Sequence, residues 1–265
     1  MQKRLNEVYK SFLCSPAKQL GFGARLVCPL LVSVGPHWEE SRQRLLVVGQ
    51  ETLSEWRFDP NESYPWPHPP LQSLEACQRY PGTVDALVEF YRWCVHETPG
   101  TSKATPFWDA VRLLTHLTES TMLWSNLFRC ALQEGAVIPA YRSGMLQEKQ
   151  LREILDWQST LLLQEITVLA PTAVVFFTGP RYDQVLLKEF PGAQFSAIGT
   201  RPARAVARVA GSALPKSTFR TYHPNYLRRS KQWQVIEAVA SAIMADSPNT
   251  TAAANGGHEA VHHVE

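Results

Sequence analysis

Four short segments of this sequence place polar side chains directly after apolar runs. Leu45-Leu46-Val47-Val48 leads into Gly49-Gln50-Glu51, and Thr121-Met122-Leu123-Trp124-Ser125 leads into Asn126. Ala173-Val174-Val175-Phe176-Phe177-Thr178 leads into Gly179, and the stretch from Ser217 to Tyr222 leads into His223-Pro224. A carboxylate, an amide and an imidazole thus follow buried-strand patterns, and these are the groups of acid–base, charge-stabilising and hydrogen-bonding chemistry. Each segment alone has an ordinary explanation: Gly49 as a turn glycine, Glu51 as a solvated carboxylate, Asn126 as a cap, His223-Pro224 as a helix entry. Their joint appearance at the same kind of place argues for a site. In open α/β sheets ligands bind at the carboxyl ends of the strands.

The elements that must position these residues follow from periodicity. Leu5, Val8, Tyr9 and Phe12 predict an amphipathic helix over residues 1–13. Thr83 is expected to cap a helix reaching about His96, and a further helix is expected from Phe107 to Leu117. One long helix is expected over 145–169, then the strand at Ala173–Thr178, with Pro180 where a helix begins. Residues 194–222 are expected to add one or two strands, and a last helix to run from about Asn225 to Met244. Strands alternating with helices predict an α/β fold, a three-layer α/β/α sandwich around a short, mainly parallel sheet. The expected organisation is a single domain over residues 1–246 and a disordered tail over 247–265, which is rich in Asn, Thr, Ala and Gly.

Composition narrows the class. The 265 residues carry 26 Lys+Arg and 24 Asp+Glu, 45% are apolar and 19% charged, which suits one large core and excludes a disordered chain. No apolar run approaches the roughly 18 residues a membrane helix needs, and the charged start Met1-Gln2-Lys3-Arg4 is unlike a signal peptide. Cys14, Cys28, Cys77, Cys94 and Cys130 form no CxxC pair and leave an odd one over, so a reducing cytosol and no disulfide framework or four-thiolate metal site are expected.

The strand-end segments resemble the uracil-DNA glycosylase superfamily. Gly49-Gln50-Glu51-Thr52-Leu53-Ser54 is similar to that family's first motif, Gly-Gln-Asp-Pro-Tyr-His. Leu123-Trp124-Ser125-Asn126 is similar to its strand ending in Asn, and His223-Pro224-Asn225-Tyr226-Leu227-Arg228 resembles its last motif, His-Pro-Ser-Pro-Leu-Ser. The likeness spans about residues 40–245. It implies hydrolysis of an N-glycosidic bond to a pyrimidine that has left the DNA stack. Glu51, one methylene longer than the family's Asp, would orient water and stabilise the cationic sugar. A neutral His223 would donate a hydrogen bond to the pyrimidine O2, and Asn126 would read the exocyclic group and N3, suiting uracil or cytosine according to its orientation. Gly49, Gln50, Leu53, Phe58, Trp66 and Asn126 are the implied base-binding residues, with Tyr64 a further aromatic candidate. Leu227 would wedge into the stack beside Tyr226, with Arg228, Arg229 and Lys231 on phosphates.

One departure bears on the substrate. The family's first-motif Tyr excludes a 5-methyl group, and this chain has Leu53 there. A roomier wall would admit a 5-substituted cytosine, hydroxymethylated or glucosylated as in phage DNA, and would make the protein a defence factor of the bacterial cytosol, unless Trp56 refills the space. Ordinary uracil repair and a non-catalytic DNA-binding protein of the same fold are the alternatives. DNA is the expected partner, the chain is expected to act as a monomer, and no cofactor is expected. The paired cysteines of an iron-sulfur cluster are missing. His258-Glu259-Ala260-Val261-His262 matches H-E-x-x-H, but it follows Asn255-Gly256-Gly257 at the end of the chain and is read as tail, not as a zinc site.

Overall fold

Alternate residues of the first apolar run serve two different cores. In a computed structural model, which describes residues 1–14, 20–52, 72–97 and 104–247, strand β1 spans Arg44–Glu51. Leu45 and Val47 face one layer and Leu46 and Val48 the other, as the two-residue period of a strand requires. Both sets are fully buried, which is why the run is continuously apolar.

Strands β2 (Thr121–Phe128), β3 (Ala173–Phe176), β4 (Gln194–Ala197), β5 (Val206–Ala210) and β6 (Ser217–Thr221) complete a six-stranded sheet in the order β2-β1-β3-β6-β5-β4. The pairs β2–β1, β1–β3 and β3–β6 are parallel; β5 is antiparallel to both β6 and β4. The fold is therefore α/β with a mixed, mostly parallel sheet. Where one or two strands were expected over 194–222, three form, because residues 194–221 fold as an antiparallel meander in which β4 and β5 bury only part of their length and so lack a continuous apolar run.

Helices α4 (Pro106–Thr118) and α10 (Gln234–Asp246) cover the face of Leu45 and Val47 through Ala110, Leu114, Ile236 and Val239. The other face is covered by α1 (Gln2–Cys14), α3 (Thr83–Arg92), α6 (Glu148–Gln158) and α7 (Leu161–Leu169), through Leu5, Leu87, Ile154 and Ile166. Short helices α2 (Leu74–Arg79), α5 (Val137–Arg142), α8 (Asp183–Glu189) and α9 (Pro224–Arg229) fill the connections. Thr105 caps α4, its hydroxyl accepting from the Trp108 N–H, with Pro106 at the first helical position.

Three expected helices differ from those formed. The helix expected over 145–169 is two, parted at Thr160, whose φ is +69°; the Glu189 carboxylate accepts from the Thr160 and Leu163 N–H groups at 3.0 Å each and starts α7 afresh. The helix expected from Asn225 to Met244 is likewise α9 and α10, parted where Lys231 takes φ +57°. The helix from Thr83 ends as an α-helix at Arg92 and widens into a π turn over Trp93–Glu97, and Gly82 rather than Thr83 is its N-cap.

Candidate active site

Gly49 and Asn126 are register partners on β1 and β2, near the carboxyl ends of both strands. A Cβ on Gly49 would lie 2.2 Å from Asn126 Oδ1, so only glycine lets the amide sit across this strand. The Asn126 side chain is buried. Its Oδ1 accepts from the Trp124 indole N–H at 3.2 Å, and its Nδ2 donates to Thr52 Oγ1 at 3.3 Å. The reading of Asn126 as a cap for the next turn fails, because it lies within β2 and its hydrogen bonds run to neighbouring side chains.

Glu51 ends β1 and is buried, so it is not the solvated carboxylate of the ordinary reading. Its Oε2 accepts from the Val137 N–H, and both oxygens accept from the Ile138 N–H, at 3.2 and 3.3 Å. Oε1 also accepts from the Tyr182 hydroxyl. The carboxylate thus closes the first turn of α5 and ties it to the segment after β3. Burial pushes the Glu51 carboxyl above its ordinary range, against the pull of Tyr182, the two backbone donors and Arg142.

His223 follows β6 and caps α9. Its Nδ1 accepts from the Asn225 N–H at 3.3 Å, so in the neutral ring the proton belongs on Nε2. Burial, with Arg229 nearby, lowers its pKa to about 4, and the ring is neutral at physiological pH. The imidazole stacks on Phe107, 5.8 Å between centroids and 22° between planes. Phe107 in turn meets Trp124 at 6.1 Å and Phe177 at 5.9 Å, and Trp124 meets Trp108 at 5.4 Å. A continuous chain of contacts therefore runs from His223 through Phe107 and Trp124 to Asn126 and Thr52, the residue after Glu51.

Other expected positions divide into three groups. Gln50 donates from Nε2 to the Thr178 carbonyl at 2.9 Å and so braces β1 against the end of β3. Leu53, Phe58 and Trp66, with Trp56 and Tyr64, lie outside the described residues. In the segment after His223, Leu227 corrects the expectation of a wedge: it is fully buried in the core with Val235 and Ile236, because α9 turns that side inward. Tyr226 is the exposed residue there, at 42%, its ring 4.5 Å from that of Tyr222. Arg228 pairs with Asp109 at 2.7 Å and lies over the Trp233 ring, which makes it a clamp between α9 and α4. Arg229 and Lys231 are exposed, and among the described residues neither forms an ion pair.

Sequence reasoning missed Thr52, Phe107, Trp124 and Tyr182 as site residues. Trp124 carried a signal, lying two residues before Asn126 in the same strand; Tyr182 carried none, being joined to Glu51 across a separation of 131 residues. Among the described residues no group of three or more His, Cys, Asp or Glu side chains is arranged to hold a metal ion, and no helix is long and apolar enough to cross a membrane. No known protein-family model matches the sequence and no curated protein is significantly similar to it.

Proposed function

We propose that this protein is a DNA glycosylase that hydrolyses the N-glycosidic bond of a pyrimidine flipped out of DNA, leaving an abasic site. The observation that carries this reading is the convergence of a buried carboxylate, a buried amide and a neutral imidazole at one sheet edge, from the ends of β1, β2 and β6. Breaking the bond between C1′ and the ring nitrogen leaves positive character on the sugar and negative charge on the base. His223, with its proton on Nε2, donates to the pyrimidine O2 as that charge develops. Glu51, ionised and fixed by three donors, stabilises the cation and orients the water whose oxygen adds to C1′. Asn126 pairs with the edge of the base, and exposed Arg229 and Lys231 meet phosphates beyond Tyr226. The resemblance to the uracil-DNA glycosylase superfamily agrees with this reading.

The finer substrate, a 5-substituted cytosine of phage DNA, rests on Leu53 standing where the family has Tyr. The ratio of single-turnover rates on 5-hydroxymethylcytosine and uracil DNA tests it: wild type is expected to favour the substituted base, and Leu53→Tyr to lower that ratio by suppressing the bulky substrate. A wild type that prefers uracil, with a ratio indifferent to the substitution, makes uracil repair the better reading.

A second reading, a non-catalytic DNA-binding protein, is favoured by one observation: the Glu51 oxygens already serve the first turn of α5 and Tyr182. A carboxylate needed only for that cap is replaceable by an amide without loss of any reaction. Formation of abasic sites by the wild type but not by Glu51→Gln separates the two readings.

A further inference from the structure

The two hydrogen bonds of Asn126 run one way only. The Trp124 indole N–H can donate and never accept, so the atom facing it must be the amide oxygen. At the other end, Thr52 Oγ1 spends its single proton on main-chain carbonyls, Phe128 at 3.1 Å and Arg129 at 3.0 Å. Towards Asn126 it can only accept, so the atom facing it must be the NH2 group. Turning the amide over would set N–H against N–H at Trp124 and leave two buried groups unpaired.

Trp124 is itself held. Its backbone N–H donates to the Tyr91 hydroxyl at 2.9 Å, which donates to the Trp124 carbonyl at 2.8 Å, and its ring packs edge-on against Phe107 and Trp108. Gly49 closes the opposite side, since its missing Cβ is what makes room for Oδ1.

We infer that Trp124 is a specificity-determining residue: with Thr52 it locks the Asn126 amide in one orientation, so the site takes pyrimidines of a single hydrogen-bonding pattern. The inference rests on the glycosylase reading and deepens it. A keto pyrimidine such as uracil offers N3–H and a C4 carbonyl; an amino pyrimidine such as cytosine offers a bare N3 and an amino group. These patterns are donor–acceptor opposites, and one fixed amide satisfies one of them. Trp124 works through Asn126 and is a positioning residue, with no contact to the reacting atoms assigned to it. The same lock holds whatever substituent C5 carries, because C5 is not part of the edge that the amide reads.

Two measurements on wild type and Trp124→Phe test it. The first is the ratio of single-turnover rates on DNA carrying uracil and DNA carrying cytosine. Wild type is expected to act on one class, and Trp124→Phe, which keeps a ring and removes the donor, to lower the discrimination by about tenfold, the worth of one buried hydrogen bond. A slower variant with unchanged discrimination overturns the inference, since loss of packing alone lowers both rates together. The second measurement is hydrogen exchange of the Asn126 side-chain amide in protein labelled with 15N-asparagine, its signals identified by their loss in Asn126→Ala. Protected in wild type and at least about tenfold faster in Trp124→Phe is the expected result; equal protection in both overturns the lock. Absence of base release by the wild type on every DNA counts against the parent reading, whereas the amide exchange reads the lock independently of any reaction.

Discussion

Glu51 is held by donors from two elements, the α5 backbone and Tyr182, while burial resists its charge. Its carboxyl therefore titrates above the ordinary value near 4.5, and the rate of base release should fall as pH drops through that raised value. His223 titrates below this limb, because burial lowers its pKa to about 4. Removing the Tyr182 hydroxyl takes away a donor that favours the charged carboxylate. In Tyr182→Phe the acid limb of the pH–rate profile should move to higher pH, whereas a merely structural defect would lower the rate equally at every pH. An unmoved limb would detach Tyr182 from Glu51 in function. His223→Ala should cost about 10²–10³ in single-turnover rate, the worth of one donor aimed at developing charge, with the melting temperature little changed. A rate within a few-fold of wild type would remove His223 from the chemistry.

At the scale of elements, the short helix α9 turns Leu227 inward and Tyr226, Arg229 and Lys231 outward, and Arg228 is spent on Asp109 and Trp233. Joint replacement Arg229→Ala with Lys231→Ala should weaken binding to any DNA sequence and flatten its salt dependence by about 0.9 in log–log slope per lost phosphate contact. A slope equal to wild type would place the DNA elsewhere. The strands were legible because β1 and β3 are continuous apolar runs, and Glu51, Asn126 and His223, at or near the ends of β1, β2 and β6, could be named from their place alone. Breaks in the helices were not legible. Thr160 and Lys231 adopt left-handed backbone without being glycine, so nothing in the residue type announces the turn. That strain yields a prediction: Thr160→Gly should raise stability by up to about 1 kcal/mol in chemical denaturation, since a β-branched residue is poorly suited to φ +69°. The inward face of Leu227 was equally hidden, because its partners Val235 and Ile236 belong to the next helix. Trp124 and Tyr182 owe their roles to donors aimed across the fold, which no local pattern encodes.

For the whole molecule, the alternation along β2 divides labour between the two faces of the sheet. Asn126 serves the site, while its neighbour Ser125 donates to Glu165 at 3.3 Å within a buried network that also holds Arg129 and the Tyr9 hydroxyl, the latter at 2.8 Å. The Arg129–Glu165 pair is almost wholly buried and ties α1, β2 and α7 behind the site. Glu165→Ala strands the Arg129 charge and should cost about 3–5 kcal/mol, seen as an earlier denaturation midpoint; a change below about 1 kcal/mol would mean that water replaces the carboxylate. The measurement closest to the central claim is single-turnover formation of abasic sites on DNAs carrying uracil, 5-hydroxymethylcytosine or glucosylated cytosine, with wild type and Glu51→Gln at matched DNA occupancy. The account predicts release of a pyrimidine by the wild type from at least one of these DNAs, and loss of that release by several orders of magnitude in Glu51→Gln while DNA binding persists. Release of no base from any of them, or Glu51→Gln as fast as wild type, would contradict it.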